Sequence, residues 1–434
     1  MLALFGGSKT VTEILPPWPY IGEDEIHAVE KALRDSRTDW RNISSVMGGG
    51  IVGEFEKNLG AFFDVPYVIS TNSGGAALHI AVIASGVEAG DEVIVSPYSW
   101  GQTAACILQQ NAIPVFADIN PLTYTIDPEM IESCITPYTK AIVVVHIYGH
   151  PADMDPIMDI AKRHNLAVIE DCAQAAGAMY KGRRVGTIGN FGCFSIGAGK
   201  QMVGGEGGFL LTKDTESFER ACIAGLHPAR THNELANSEC KELIDSLIYT
   251  YRIHPLAAAI CNVQLRKLDL WNANRRSNLE RLSSKLDGVP GIRPVHVADG
   301  CQHVYHSYCM TYLPSELPGI SRTLYAQALT AEGIPNVSTG YIQTPLHLLP
   351  RIQKKMYYFG KGYPWTAGSR TIEYAKGDCP IAEARSEEHD LAIFIGPNVV
   401  GEQIKLMDQI SDAFFKVAEH TDDLRLHIQS EKEQ

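Results

Sequence analysis

The chain of 434 residues carries 37 basic and 50 acidic side chains for a formal charge of −13, with 45% hydrophobic and 20% charged residues. That balance describes a globular protein of two or three domains, and an acidic chain without a basic run argues against a nucleic-acid partner. No apolar run reaches the ~20 residues that a membrane span needs and the first ten residues do not read as a signal peptide, so a cytoplasmic location is expected.

A Pro-rich stretch, Pro16-Pro17-Trp18-Pro19, precedes a helix expected from about Gly22, whose first turn gathers Glu23, Asp24 and Glu25 where the helix dipole favours negative charge. The polar, Gly-rich stretch from Asp39 to Ile51 reads as a loop. From Tyr67 onward, short β-branched runs alternate with helical patterns. The strands are Tyr67 to Ser70, Glu92 to Val95, Pro114 to Ala117, Ala141 to Val145 and Ala167 to Asp171; helices are expected over Ala76 to Ser85, from about Thr103, and over Met154 to His164. This spacing predicts βαβ units and a parallel sheet buried on both faces, with ligands at the carboxyl ends of its strands. A long helix follows over His254 to Leu268, and a polar helical stretch from Leu270 to Leu286. After Gly288-Val289-Pro290-Gly291 the pattern changes to a strand over His306 to Tyr312, a helix over Ser321 to Glu332, and two closing amphipathic helices near Gly401 and Leu424. The charged tail from His420 is expected to fray. The expected division is an N-terminal arm and large domain over residues 1–275 and a small C-terminal α+β domain over 276–434.

The ten cysteines are scattered without a CxxC pair and the fifteen histidines without an HExxH, so no metal is expected. His146, His150, His303 and His306 read individually as core or structural histidines. Lys200 stands out: the apolar run Cys193-Phe194-Ser195-Ile196 leads to it, and a glycine cluster from Gly204 to Gly208, interrupted by Glu206, follows. A P-loop is ruled out because Phe194 and Gln201 occupy the places of its required glycine and hydroxyl residue. The lysine is then either a desolvated amine able to form a Schiff base with a carbonyl cofactor or an incidental charge in a Gly-rich turn.

Three further features fall at strand ends. Asn72-Ser73-Gly74-Gly75 joins a strand to a helix start and offers free N–H groups to an anion. Trp100 follows Pro97-Tyr98-Ser99 and can stack on a flat ring. Asp171 ends a strand and can pair with a protonated ring nitrogen. Anion pocket, stacking ring, aspartate and lysine together are the parts that pyridoxal phosphate requires.

The chain resembles the DegT/StrS-type family of fold-type-I pyridoxal-phosphate sugar aminotransferases nearly end to end. The matching segments are Leu4-Phe5-Gly6-Gly7, Thr71-Asn72-Ser73-Gly74, Glu170-Asp171-Cys172-Ala173-Gln174-Ala175, Tyr180-Lys181-Gly182-Arg183-Arg184-Val185-Gly186 and Gly204-Gly205-Glu206-Gly207-Gly208. The resemblance implies an α/β enzyme with pyridoxal 5'-phosphate as cofactor. It implies Lys200 as the Schiff-base lysine, Asp171 as partner of the pyridine nitrogen, Gln174 at the ring hydroxyl, Trp100 on the ring, and Ser73, Gly74 and Ser195 at the phosphate. Three departures stand out. Gly75 replaces the usual Thr or Ser, leaving only its backbone for phosphate. Thr250 stands where an asparagine usually reaches the neighbouring subunit's phosphate, and Ala176 where histidine is common.

A homodimer with sites at its interface is implied, as is a ping-pong transfer from L-glutamine or L-glutamate to a keto-sugar or keto-cyclitol in aminoglycoside or related secondary metabolism. The segment from Lys354 to Arg370, with aromatic rings among its basic residues, and Cys379-Pro380-Ile381-Ala382-Glu383 resemble members acting on keto-cyclitols. The rings of that segment either close over a small uncharged ring or pack a surface loop. The competing readings are a nucleotide-keto-sugar acceptor, an eliminase or dehydratase on the same fold, and a silent binding protein.

Overall fold

The computed structural model describes residues 1–235, 238–360 and 362–432. Its strands are β1 (Tyr67–Thr71), β2 (Glu92–Val95), β3 (Ile113–Phe116), β4 (Thr139–Val145), β5 (Ala167–Asp171), β6 (Met179–Tyr180), β7 (Arg183–Arg184), β8 (Phe191–Ser195), β9 (Gly208–Thr212), β10 (Ile292–Arg293), β11 (Cys301–Gln302), β12 (Tyr308–Tyr312), β13 (Val337–Ser338) and β14 (Asp390–Ile393). Seven of them form one sheet in the order β1-β9-β8-β5-β4-β2-β3. The pairs from β8 through β5, β4 and β2 to β3 are parallel, whereas β9 runs antiparallel to both β1 and β8.

Successive residues of a strand serve opposite faces, and the core divides accordingly. Ile142 and Val144 pack with Phe55, Phe194 and Phe209 on one face; Ala141 and Val143 pack with Ile69, Val93 and Ile169 on the other. Because both faces are covered, the strands are continuous apolar runs. The register sets Asp171 beside Val145 on one side and Cys193 on the other, so the carboxyl ends of β4, β5 and β8 lie abreast.

A second, antiparallel sheet of order β10-β12-β14-β13 packs with the helices Arg322–Ala331 and Ile404–Glu419. Leu2 and Val11 belong to its core, and the N–H groups of Thr10 and Val11 both donate to the Glu332 carbonyl. The helix Leu268–Leu286 joins the two parts: Leu268 lies in the core of the larger sheet, Leu279, Leu282 and Leu286 in that of the smaller.

The loop read over Asp39 to Ile51 ends earlier than expected, because a helix begins at Gly50 and runs to Phe63. Its opening glycines read as a turn, yet Val52, Phe55, Leu59 and Phe63 recur at helical spacing and bury one face. The charged tail forms a helix, Thr421–Lys432, with Leu424 buried; Glu433 and Gln434 lie outside the described residues.

Candidate active site

The strand ends place the expected residues in one region. Asp171 closes β5 and is buried. Burial raises its carboxyl pKa, opposed by the Ala173 N–H at 3.1 Å, the Thr103 hydroxyl at 2.9 Å and the charge of Lys200. Since Thr103 gives its proton to Asp171, the Ser99 hydroxyl, 2.7 Å from Thr103 Oγ1, is the donor in that contact. A hydroxyl relay thus ties the loop after β2 to the carboxylate. The sequence reading missed Thr103, which lies 68 positions from Asp171; its place on the helix Gln102–Gln109 just after Trp100 was the available signal.

Lys200 sits in the loop between β8 and β9. The loop is pinned at its base, where Ile196 N–H donates to Gly207 O at 3.0 Å and Gly204 N–H to Ile196 O at 2.9 Å. Above that base, Trp18 Nε1 donates to Lys200 O at 3.1 Å and Gln201 Nε2 to Gln174 O at 2.7 Å. The Pro-rich N-terminal stretch therefore buttresses the lysine, a contact across 182 positions that no local pattern reveals. Burial lowers the Lys200 pKa from 10.5, against the raising effect of Asp171. Gln174 is fixed by the Tyr148 N–H, which donates to its Oε1 at 2.6 Å and leaves the amide hydrogens to donate elsewhere.

The anion pocket forms where β1 enters the helix Gly74–Ala84. Ser73 caps this helix by accepting from the Ala76 N–H at 3.0 Å, and the N–H groups of Gly74 and Gly75 precede the first intrahelical bonds. A Cβ at Gly74 would lie 2.9 Å from the Ser195 Cβ, so the missing side chain lets Ser195 close on the helix start. Thr250 is exposed; next to it the Tyr251 carbonyl accepts from the Asn72 N–H at 2.9 Å, and Arg252 bridges to Thr71.

Trp100 is 61% exposed, its ring centroid 5.9 Å from that of Tyr341. Two positions earlier the loop is anchored by buried Tyr98, whose hydroxyl donates to Asp390 of β14 and lies 2.7 Å from the Tyr148 hydroxyl. Asp390 is in turn paired with Arg385 at 2.6 Å, and both side chains are buried. A cleft of ≈ 610 Å³ opens beside Trp100, with Gln102, Ala105, Tyr341, Leu346 and Tyr357 among its walls. Tyr357 is thus the part of the aromatic segment Lys354 to Arg370 that reaches the cleft, while Trp365 is buried against Tyr374 in the core and Lys361 lies outside the described residues. Burial, aided by the charges of Lys200 and Arg275, holds the His306 imidazole well below 6.5, and among the described residues its buried Nδ1 has no hydrogen-bond partner.

His146, Glu170 and Cys172 bring potential ligand atoms within 4.8 Å of one another. His146 and Glu170 are committed otherwise. His146 Nδ1 accepts from the Ala152 N–H, so Nε2 carries the proton it gives to Glu170, and that carboxylate also takes the N–H groups of Gly186, Ile188 and Gly189. This cluster braces β4 against β5. No described helix is long and apolar enough to cross a membrane.

A buried carboxylate ending one strand of a mostly parallel sheet, with a desolvated lysine in the loop after the adjacent strand, belongs to the fold-type-I architecture of pyridoxal-phosphate-dependent aminotransferases. The S. venezuelae DesV structure, solved in complex with a ketimine intermediate, is similar with a TM-score of 0.74 and 29% identity, covering 91% of this chain and 94% of that one. The chain belongs to the DegT/DnrJ/EryC1/StrS aminotransferase family, which matches residues 19–372. It is 34% identical to an L-glutamine:2-deoxy-scyllo-inosose aminotransferase of Streptoalloteichus tenebrarius, over 98% of this chain and 99% of that protein. It is also 34% identical to the spore coat polysaccharide biosynthesis protein SpsC of Bacillus subtilis, over 80% and 87%.

Proposed function

We propose that this aminotransferase uses pyridoxal 5'-phosphate to move an amino group from L-glutamine or L-glutamate to a keto-cyclitol of the inosose type. The donor set fits the cofactor: a buried carboxylate whose burial favours a cationic partner, a desolvated amine, and a helix start with free N–H groups. When bound, the cofactor supplies an aldehyde that bonds to amines and a protonated ring that accepts an electron pair from carbon. Lys200 Nζ would be the amine that holds the cofactor, and the same amine would carry the proton that leaves the donor's Cα and, in the second half-reaction, the proton that reaches the acceptor carbon. Asp171 would keep the ring nitrogen protonated, and Gln174 Nε2 would donate to the ring hydroxyl. Trp100 covers the ring. Ser73, Gly74, Gly75 and Ser195 bind the phosphate. We place the division between the domains near residue 275, within the helix that joins the two sheets.

The observation that carries the choice of acceptor is the charge in the cleft beside Trp100, which adjoins the Thr103 that holds Asp171 but whose walls do not include Lys200 or Asp171 themselves. Among the described residues lining it, Arg351 alone is a cation, and it donates to the Tyr357 carbonyl while its guanidinium lies 4.6 Å from the Tyr357 ring centroid and 5.4 Å from that of Phe359. A diphosphate calls for uncommitted arginine or lysine. A small uncharged ring does not, and the full-length likeness to inosose aminotransferases agrees with it. Steady-state assays with L-glutamine as donor are expected to give a kcat/KM for 2-deoxy-scyllo-inosose about 100-fold or more above that for a nucleotide-linked keto-sugar, a difference of ~2.7 kcal/mol. The reverse preference overturns the acceptor and leaves the aminotransferase intact.

We further infer a homodimer in which Thr250 faces the partner's pocket. Leu243, Leu247 and Tyr249, which precede it, are 58%, 88% and 44% exposed, an apolar run beside the anion pocket that asks for cover. Sedimentation is expected to give twice the chain mass, and Leu247→Asp to shift the protein toward monomer with loss of activity. An active monomer contradicts this assembly.

A further inference from the structure

Gly75 is the second residue of the helix that opens the anion pocket, and it brings no side chain to that pocket. The space is nevertheless filled. A Cβ built on Gly75 would lie 2.7 Å from both Cγ and Cδ of Gln102 and 2.9 Å from its Nε2, closer than non-bonded atoms approach. The Gln102 amide therefore occupies the volume that a side chain at position 75 would take. Gln102 is also the first residue of its helix, directly before the Thr103 that holds Asp171, and it lines the cleft with Trp100. Its backbone is thus fixed by the same elements that fix the ring-binding residues. The amide is scarcely committed: among the described residues its hydrogen bond runs from Nε2 to Gln109 Oε1 at 3.4 Å, at the outer limit for such a bond.

We propose that Gln102 is a cofactor-phosphate ligand of this protein, its Nε2–H2 replacing the hydroxyl donor that Gly75 lacks, and that Gly75 and Gln102 form an exchangeable pair. The proposal rests on the pyridoxal phosphate reading above. A side-chain amide supplies one N–H to a phosphate oxygen and carries no charge, so it adds to the backbone N–H groups of Gly74 and Gly75 without raising the electrostatic cost of the empty pocket. A threonine at 75 puts its Cβ into the Gln102 side chain and a glutamine at 102 leaves no room for that threonine, so each residue suits the other.

The test uses the full chain freed of cofactor, titrated with pyridoxal phosphate and separately with pyridoxal, which has the same ring and aldehyde without the phosphate. Absorbance of the lysine-bound ligand gives each dissociation constant. Gln102→Ala is expected to weaken pyridoxal phosphate by about 10-fold and leave pyridoxal within about 2-fold, as a hydrogen bond to a charged group implies. Gln102→Glu, of the same shape but anionic, weakens the phosphate ligand further. In Gly75→Thr the clash lowers affinity, and Gly75→Thr/Gln102→Ala, with a hydroxyl in place of the amide, binds pyridoxal phosphate within about 3-fold of the wild type, regaining what Gln102→Ala alone loses while pyridoxal affinity stays unchanged. Equal losses for both ligands in Gln102→Ala, unchanged affinity for pyridoxal phosphate, or failure of the double variant to recover overturns the proposal. A wild-type chain that binds neither ligand instead overturns the cofactor reading itself.

Discussion

Replacing Lys200 by alanine is expected to abolish both the visible absorbance of the cofactor-loaded protein and all measurable turnover, a loss of about 10⁴-fold or more. In the proposed role one amine performs two tasks, covalent attachment of the aldehyde and proton transfer at the reacting carbon, and general acid–base catalysis alone accounts for ~10²–10⁴-fold. Lys200→Arg separates charge from nucleophilicity: it keeps a cation beside Asp171 but cannot attack an aldehyde at neutral pH, so it is expected to be equally inactive. Borohydride reduction of the wild type should fix the cofactor on the peptide that contains Lys200. A Lys200→Ala protein that keeps the band after dialysis and reduction assigns the attachment to another lysine. The environment adds a pH signature. Burial lowers the Lys200 pKa below its ordinary 10.5, so the neutral, nucleophilic amine is present at lower pH than in a surface lysine. Cofactor capture is therefore expected to accelerate as pH rises, with a midpoint below 10.5.

The placement of Lys200, Asp171 and the Ser73 to Gly75 turn could be read because their signals are local: each lies at the end of a β-branched run or beside a glycine cluster, and the period of the neighbouring strands places them at one end of the sheet. What surrounds them was not legible. Trp18 against Lys200, Thr103 against Asp171 and Gln102 over Gly75 are contacts between segments far apart in the chain; the order of β1, β2, β5 and β8 in the sheet brings the last two together, and the packing of the N-terminal stretch the first. The helix from Gly50 to Phe63 was hidden because its first turn reads as a glycine loop, although its buried face has regular helical spacing. The aromatic segment near residue 360 illustrates the opposite case. Composition left its rings either closing over a small ring or packing a surface loop, and burial shows that Trp365 serves the core while Tyr357 lines the cleft.

Asp171→Asn is expected to lower kcat by about 10²–10³-fold while weakening cofactor binding far less, the magnitude associated with removing one preorganised electrostatic contact. The phosphate pocket and the Lys200 attachment remain, so the cofactor stays bound. What disappears is the charge that keeps the ring nitrogen protonated, because an amide of nearly the same shape carries none. The local hydrogen bonds make the substitution a clean one to interpret. The Ala173 N–H can still donate to the oxygen of the introduced amide, whereas the amide NH2 meets Thr103 Oγ1, which can turn its own hydrogen away and accept. The effect on Lys200 provides an independent readout. The Asp171 carboxylate raises the lysine pKa, so its removal lowers that pKa further, and the pH midpoint for cofactor capture should move down even as catalysis collapses. A general loss of folding would not move that midpoint in a defined direction. Near wild-type kcat with an unshifted midpoint would show that another group holds the ring proton, and would transfer the role from Asp171 to that group.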